Sequence, residues 1–230
     1  MKASLRIAPL AFAALALVPS SALLRAQSAA GVLARLDATS SSFRSASASI
    51  ERITHTAIIN ESLSETGTMK MLRDKGAVLL SIEFTKPDLK QYAFSGRKGE
   101  IYFPKIQTVQ EYDVGKQKGL VEQFILLGFG TSGKELTKNY TVKLAAEQTI
   151  GTQKASRLEL TPKSAKTREF FTKVELWISA EGRTLRQKFY QPSGDTTTVT
   201  YSNLVWNPAL TPAALSLKLP AGVKREFPQR

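Results

Sequence analysis

The chain contains no cysteine and a single histidine in 230 residues, so it lacks most of the side chains on which hydrolases and metalloenzymes depend. Without cysteine it forms no disulfides, and the cysteine-linked lipid of a bacterial lipoprotein is excluded. A mature chain of about 200 residues is nevertheless long enough to be stabilised by its own hydrophobic core. The fold therefore depends on packing and not on covalent or metal crosslinks.

The lone histidine, His55, falls in the middle of a predicted strand. A serine protease-like triad built around it would need a nucleophile, and no nucleophile-elbow sequence lies nearby. A metal site formed by His55 with Glu51 or Glu83 would be poorly supplied with ligands. A pair of carboxylates for glycoside hydrolysis is left open by the sequence, since its spacing is three-dimensional. We expect a protein without enzymatic activity, cofactor or metal.

Acidic residues are few, with 19 Asp and Glu against 32 Lys and Arg, which gives a formal net charge of +13. The basic residues are scattered and are not interleaved with aromatic residues as in single-strand nucleic-acid binders. The charge therefore points to anionic membrane surfaces or acidic partners, with transient contact, and away from nucleic acid.

The N-terminus has the pattern of a removable export signal. A basic start, an apolar run from Ile7 to Val18 and an alanine-rich exit are typical of a secretory signal, and the run is shorter than the about 20 residues that span a membrane. Cleavage after Ala22 or Ala26 is compatible with this pattern, and Ala26 is preferred. We predict a signal peptide at 1–26, one domain at 27–230 and a periplasmic location.

The rest of the chain alternates between apolar and polar residues, as half-buried strands do. Only two substantial helices are expected, at 29–43 and 120–127, with short helical turns around 134–138 and 212–217. About ten strands are predicted, at 49–59, 65–73, 77–85, 90–95, 100–103, 108–113, 140–146, 154–161, 169–179, 184–191 and 196–206, followed by a basic tail. This pattern predicts a mainly β fold with α-helices. One large curved antiparallel sheet, partly closed and with the helices plugging it, is the architecture expected from this pattern.

The segment 120–127 is apolar over most of its circumference, and two interpretations of it remain open. It is either an ordinary buried core helix or a plug that covers an apolar cavity and is displaced by a ligand. The glycines at 128, 130 and 133 follow this helix and not a strand, so they are assigned to redirecting the chain and not to binding phosphate.

Several short motifs, taken in order, resemble the outer-membrane lipoprotein carrier (LolA) family of the periplasm. The chain contains a glycine-started strand ending in arginine, a loop and strand rich in aromatic residues, an apolar mid-chain helix, an "LTPK" element and a closing Pro-Ala-Gly-Val phrase. These motifs lie at Gly67–Arg73, Phe84–Pro87, Phe94–Tyr102, 120–127, Leu160–Lys163, Phe171–Ile178 and Leu219–Val223.

The resemblance implies an unclosed barrel around an apolar cavity that shelters lipoprotein acyl chains, with helices as a lid. It also implies that Arg73 holds the lid closed by contacting it. The other residues expected to line the cavity or its lid are Val78, Leu80, Ile82, Phe84, Phe94, Phe103, Phe124, Leu127, Leu176 and Ile178.

The preferred hypothesis is a monomeric periplasmic carrier that takes lipoproteins or related lipids, through their acyl chains, from the inner to the outer membrane. An inner-membrane release transporter and an outer-membrane receptor would be its partners. An alternative is an envelope lipid-binding sensor or interaction module on the same scaffold, and an enzyme acting on envelope glycan or lipid is the third.

Overall fold

The computed structural model describes residues 28–228. The predicted signal peptide at 1–26 lies outside the described residues and stays a prediction. Between residues 28 and 228, no helix is both long enough and apolar enough to cross a bilayer.

The strands of the described chain form one sheet with twelve members. Their bounds are β1 (Ser45–Thr56), β2 (Glu61–Asp74), β3 (Ala77–Lys86), β4 (Lys90–Ser95), β5 (Lys98–Phe103), β6 (Thr108–Asp113), β7 (Tyr140–Ile150), β8 (Gln153–Pro162), β9 (Lys173–Ser179), β10 (Thr184–Tyr190), β11 (Thr196–Trp206) and β12 (Lys224–Glu226).

The strand order across the sheet is β12-β6-β5-β4-β3-β2-β1-β11-β10-β9-β8-β7. All neighbouring pairs are antiparallel except β12, which runs parallel to β6. The strand β1 joins the two meanders, because it pairs with β2 on one side and with β11 on the other. The two edge strands, β12 and β7, do not pair with each other, so the barrel is unclosed as predicted.

Four α-helices accompany the sheet within the described residues: α1 (Ala29–Ser42), α2 (Lys118–Leu126), α3 (Gly133–Asn139) and α4 (Ala165–Arg168). The hydroxyl of Ser28 caps α1 by accepting a hydrogen bond from the Gly31 amide at 3.2 Å. A capping box formed by Ser132 and Glu135 starts α3. Such caps satisfy amides that the first helical turn leaves without partners.

Strand pairing defines two ends of the sheet. The turns at 57–60, 87–89, 104–107 and 191–195 lie together at one end, which we call the open end. The turns at 75–76, 96–97 and 180–183 lie at the opposite end, which we call the closed end. Two contacts confirm the grouping at the open end: Asp195 Oδ1 accepts from the Ala57 amide at 2.8 Å, and Lys105 lies 4.0 Å from Asp88.

The core lies on the concave face of this sheet in two main clusters. One cluster joins α1 and α3 to β7, β8 and β9, with Leu36, Leu136 and Leu176 almost completely buried. The other joins β1, β2, β3 and β11 around Phe43 and Phe129. On the convex face, Leu215 packs against Leu72 and Leu79.

The structure corrects the sequence prediction at several places. The predicted strand 49–59 is β1 (Ser45–Thr56), so residues 57–59 belong to a turn, and the predicted strand 65–73 is β2, which begins at Glu61. The predicted basic tail contributes the short strand β12 to the sheet edge. The predicted strand 169–179 begins only at Lys173, and the helix α4 precedes it. The predicted helix around 212–217 is a single 3₁₀ turn, Pro212–Leu215. Only three residues of the tail pair with β6. A strand this short shows no alternation of apolar and polar residues, so the sequence did not reveal β12.

Gly67 occupies an irregular point in the β2–β3 pairing, and a methyl group there has no space. A Cβ added at Gly67 would lie 1.9 Å from the Glu83 carbonyl oxygen and 2.7 Å from the Phe84 Cα. We expect Gly67→Ala to lower the free energy of unfolding by about 2 kcal/mol or more, because backbone atoms of a central strand must shift.

Urea unfolding monitored by circular dichroism measures this effect. The matched control is Gly99→Ala, another strand glycine, where the added Cβ meets its nearest neighbour at 3.8 Å. Equal stability of the two variants would contradict the steric explanation.

Candidate functional site

The closed end of the concave face is filled by an aromatic cluster. Phe129 packs edge-on against Tyr201 with ring centroids 5.0 Å apart, and Phe43 lies 4.9 Å from Trp206. Sequence analysis did not identify Phe129, although the spacing of glycines on both sides of it marks a chain that passes close to other backbone. These rings therefore form part of the packed core and not of an open ligand pocket.

The chain that carries Phe129, Leu127–Thr131, follows α2 and is buried at every residue. We call it the tethered segment, because three side chains of the sheet donate hydrogen bonds to its carbonyls. Gln187 donates to Leu127, Thr184 donates to Gly128, and Arg73 donates to Gly130 at 3.1 Å.

The tether from Gln187 is itself held by a second hydrogen bond. Tyr201 donates its hydroxyl to Gln187 Oε1 at 2.7 Å, and burial raises the pKa of the Tyr201 hydroxyl, so it remains a donor. Buried carbonyls that lose such donors are costly. The tethered segment is therefore a fixed part of the fold and not a mobile cover.

The helix α2, in contrast, contains no fully buried residue. Its side chains Ile125 and Leu126 pack against the cluster around Phe43, and Phe124 meets Phe171 edge-on at 4.8 Å. A cavity of ≈ 300 Å³ between α2 and the tethered segment is lined by Arg73, Glu122, Leu126 and Gly130, among others. The helix thus lies across the concave face with loose packing, while its C-terminal continuation is anchored.

The concave face below α2 and toward the open end is lined by apolar side chains that are only partly buried. They come from both halves of the sheet and from α2 itself. The members of this surface, which we call the open lining, are Leu80, Ile82, Tyr92, Ile101, Phe103, Phe124, Ile125, Leu126, Phe171, Phe189 and Val199.

A second cavity, ≈ 460 Å³, lies at the open end beside this lining. Phe170, Phe171 and Pro192 contribute to its walls, and Phe171 lies 4.9 Å from Phe189. A continuous series of aromatic rings therefore leads from the open end to the underside of α2.

The eleven residues predicted to form the cavity and its lid lie on this side of the sheet. Pairing puts Arg73, Val78, Leu80, Ile82, Phe84 and Phe94 on one face, since directly paired residues share a face. Phe103 lies on the same face by alternation from Ile101, and Leu176 and Ile178 belong to the α1–α3 cluster.

The structure separates these eleven residues into two groups. Six of them are core, since Val78, Phe84, Leu127, Leu176 and Ile178 are at most 4% exposed and Phe94 is 7% exposed. The accessible ones are Leu80, Ile82, Phe103 and Phe124, and Arg73 contacts the tethered segment. Of the segment 120–127, Leu127 is core, whereas the rest lies across the concave face in α2 and is partly buried. Its displacement by a ligand stays a prediction.

A buried ion cluster stands at the open end of the concave face. Glu65, of which 1% of the side chain is exposed, pairs with Arg52 and, at 2.7 Å, with Lys90. The Arg52 guanidinium also stacks over the Phe84 ring at 4.2 Å. Burial by itself raises the pKa of the Glu65 carboxyl, but hydrogen bonds and positive charge from Lys90 and Arg52 outweigh it, so the net pKa is lowered.

His55 lies outside this site. Its Nδ1 is 3.1 Å from Ser62 Oγ across the β1–β2 pair, on the face opposite Arg52. The neighbouring carboxylate, Asp195, accepts a hydrogen bond from the Ala57 amide. Among the residues at 28–228, no group of three or more His, Asp or Glu side chains could hold a metal ion.

The lowered pKa of Glu65 predicts a pH dependence of stability. A carboxyl whose folded pKa lies below its unfolded value of about 4.3 stabilises the fold above that value, and the contribution is lost as the pH falls through the folded pKa. Glu65→Gln should reduce the free energy of unfolding at neutral pH by about 3 kcal/mol, because Arg52 and Lys90 lose their anionic partner. The free energy of unfolding of this variant should also fall less steeply toward acid pH than that of the wild type.

The unfolding free energy measured by denaturant between neutral and acid pH checks this expectation. Glu51→Gln, an exposed glutamate on the opposite face of β1, is the control and should retain the wild-type profile. If the free energy of unfolding of Glu65→Gln falls toward acid pH as steeply as that of the wild type, the ion cluster does not determine the acid dependence of stability.

Comparison of the fold with solved structures gives matches at low sequence identity. An uncharacterized conserved protein from Thermus thermophilus is similar with a TM-score of 0.54 and 16% identity, over 87% of this chain and 99% of that one. MucB is similar with a TM-score of 0.51 and 14% identity, over 83% of this chain and 62% of that one. At these identities the likeness concerns the fold.

A third match is a putative outer membrane lipoprotein-sorting protein domain from Vibrio parahaemolyticus, with a TM-score of 0.44 and 16% identity, over 81% of this chain and 97% of that one. No curated protein matches the chain at a significant level.

The family model for the outer membrane lipoprotein carrier protein LolA matches residues 42–218, which contain eleven of the twelve strands and the helices α2, α3 and α4. This match covers more than half of the chain and includes the tethered segment and the open lining. The chain belongs to the LolA family.

Proposed function

We propose that this protein is a periplasmic carrier that binds lipoprotein acyl chains, or the chains of a related lipid, on its open lining. The observation that carries the proposal is the concave apolar face toward the open end, which is only partly buried and is covered by a loosely packed helix. In this proposal the protein moves its cargo from the inner to the outer membrane as a monomer. It receives the cargo from a release transporter and delivers it to a receptor.

The energetics of acyl chains support a container of this kind. Each methylene moved out of water gains about 0.8 kcal/mol, so a chain of about 16 carbons costs on the order of 10 kcal/mol to expose. An extended apolar surface is therefore required for transfer through water. The partly buried residues of the open lining already retain some contact with water, so covering them with an acyl chain yields further apolar burial.

Release is supported by the different anchoring of α2 and the tethered segment. Cargo that enters below α2 displaces Phe124, Ile125 and Leu126, while the hydrogen bonds to the tethered segment hold the end of the helix in place. The displaced helix then competes with the cargo for the same apolar surface. Such competition keeps binding reversible, which a carrier needs more than maximal affinity.

A role as an envelope lipid-binding sensor or interaction module is the alternative on the same scaffold. An interaction module would bind a protein partner without using the open lining, and moderate salt would abolish this binding if the basic surface drives it. A lipid-binding sensor would use the open lining but would not transfer the lipid. Substitutions in the lining therefore distinguish the carrier from the interaction module, and transfer to acceptor liposomes distinguishes it from the sensor.

Uptake of a fluorescent fatty-acyl probe by the protein beginning at residue 27 tests the carrier function. Ile82→Asp puts a charge into the open lining and should weaken probe binding by at least about tenfold, since a charge buried against an acyl chain is unpaired. Ser81→Asp, the adjacent residue on the convex face, should bind the probe as wild type does.

Thermal unfolding of both variants verifies that they are folded, and Ile82→Trp, which fills space without adding charge, provides a second test of the same position. If wild-type protein takes up no probe, or if Ile82→Asp and Ile82→Trp both take it up normally, the proposed binding surface is wrong.

Arg73 should influence transfer more than stability. Besides donating to Gly130, Arg73 lines the cavity beside α2, so Arg73→Leu makes that space more favourable for an acyl chain and weakens the competition of α2 against bound cargo. We expect transfer of the probe to acceptor liposomes to slow by about tenfold, while the free energy of unfolding changes by about 1 kcal/mol. The control is Arg97→Leu, an exposed arginine paired with Asp113. Transfer rates that are equal for Arg73→Leu and wild type would exclude this role.

A further inference from the structure

The turn between β1 and β2 carries two isoleucines in a place where turn formation does not favour them. Ile58 is 93% exposed and Ile59 is 60% exposed, at the centre of the four-residue turn 57–60. Such positions are usually filled by glycine, asparagine, aspartate or proline, because these residues suit turn backbone, whereas β-branched residues do not. Folding therefore does not explain their presence.

This turn is held rigidly. The Asn60 amide donates to the Ala57 carbonyl at 3.2 Å, Asn60 takes the left-handed conformation with φ of 52°, and the Ala57 amide donates to Asp195. The last β2–β3 pair is Thr66 with Lys86, so β2 continues for the residues 61–65 beyond β3. At the rise of a strand this overhang is about 16 Å. The two isoleucines are thus presented to the surroundings on a fixed support.

Other exposed apolar side chains lie at the same end of the sheet. Within residues 28–228, eight large apolar residues are at least 37% exposed, and five of them lie in the open-end turns or within about three residues of one: Ile58, Ile59, Leu63, Leu89 and Ile106. We call these five residues the rim. They come from the β1–β6 half of the sheet and lie at the same end of it as the opening beside Phe171 and Pro192.

We propose that the rim is a membrane-docking surface, with which the protein inserts aliphatic side chains into an anionic phospholipid bilayer while an acyl chain passes into or out of the open lining. This inference rests on the proposed carrier function. It assigns the contact with the bilayer to defined residues and orients the opening toward the membrane.

The form of the rim favours a bilayer over a protein partner. Its side chains come from three separate turns and from β2, which suits insertion between mobile lipids. The exposed lysines Lys86, Lys105 and Lys166 lie at these turns or on α4 beside them. The acidic side chains of the open-end turns are Asp88, which is 4.0 Å from Lys105, and Asp195. The net charge of +13, which removal of Lys2, Arg6 and Arg25 would reduce to +10, attracts an anionic surface as a whole.

The orientation also has an energetic reason. An acyl chain that left the open lining at a distance from the membrane would cross water at the full cost of its hydrocarbon surface. With the rim inserted, the opening lies at the level of the lipid headgroups, and the chain exchanges one apolar environment for another. The rim and the open lining are therefore two parts of one path.

Flotation with liposomes of phosphatidylcholine, with and without phosphatidylglycerol, tests the proposal. Wild-type protein should float with phosphatidylglycerol liposomes, and the double variant Ile58→Ser, Ile59→Ser should bind about tenfold more weakly, since each side chain loses apolar contact with the bilayer. Val205→Ser, an exposed apolar residue at the closed end that is 52% exposed, is the matched control and should bind as wild type does.

Probe uptake in solution without liposomes separates this inference from the carrier function. The double variant should keep wild-type uptake, because the turn 57–60 lies outside the open lining. If wild type takes up the probe but does not float, or if the double variant floats as wild type does, the rim inference is wrong while the carrier function stands. If wild type fails to take up the probe, the carrier function itself is wrong. Self-association that disappears in the double variant, without liposome binding, would identify the rim as a contact between copies and overturn the proposal.

Discussion

The whole arrangement depends on the hydrogen bonds that fix the tethered segment to the sheet. A sheet of twelve strands that does not close leaves a large concave apolar face, and some part of the chain must cover it. The segment Leu127–Thr131 covers the closed end, because Gln187, Thr184 and Arg73 satisfy its buried carbonyls. If these buried carbonyls had no hydrogen-bond donors, the free-energy cost of their desolvation would exceed the stabilisation from the apolar contacts of the segment.

This fixed segment allows the neighbouring helix to be loosely packed. The helix α2 is attached at its C-terminus to an immobile point, so it does not need extensive burial of its own to remain in place. Its apolar side chains and the open lining cover each other only partly. A protein that only needed a stable core would bury this surface, whereas a protein that exchanges hydrocarbon with its surroundings needs it to be accessible.

Charge at the open end is arranged so that it does not interrupt the apolar surface. Glu65 pairs with both Arg52 and Lys90 where all three approach the concave face, and Arg52 covers the ring of Phe84. The cluster closes the β1–β4 side of the lining with polar groups that are paired among themselves. Since a buried ion pair contributes little net stability, we interpret this cluster as a boundary of the open lining and not as a main support of the fold.

Much of this protein followed from the sequence. Strand alternation located most strands, with Lys90–Ser95, Thr108–Asp113 and Thr196–Trp206 at their observed bounds, because a half-buried strand repeats every two residues. The short motifs identified the family, and alternation put Leu80 and Ile82 on one face. The sequence also located an apolar helix in the middle of the chain.

Other features were decided only by the tertiary structure. Whether an inward-facing residue is core, like Leu176, or accessible, like Ile82, depends on which helix covers it, and that information is not local. Phe129 became the centre of the closed end because side chains from distant strands hold its backbone there. The rim likewise exists only because separate turns meet at one end of the sheet. Periodicity determines the face on which a side chain lies, whereas long-range packing determines whether water, protein or a ligand covers it.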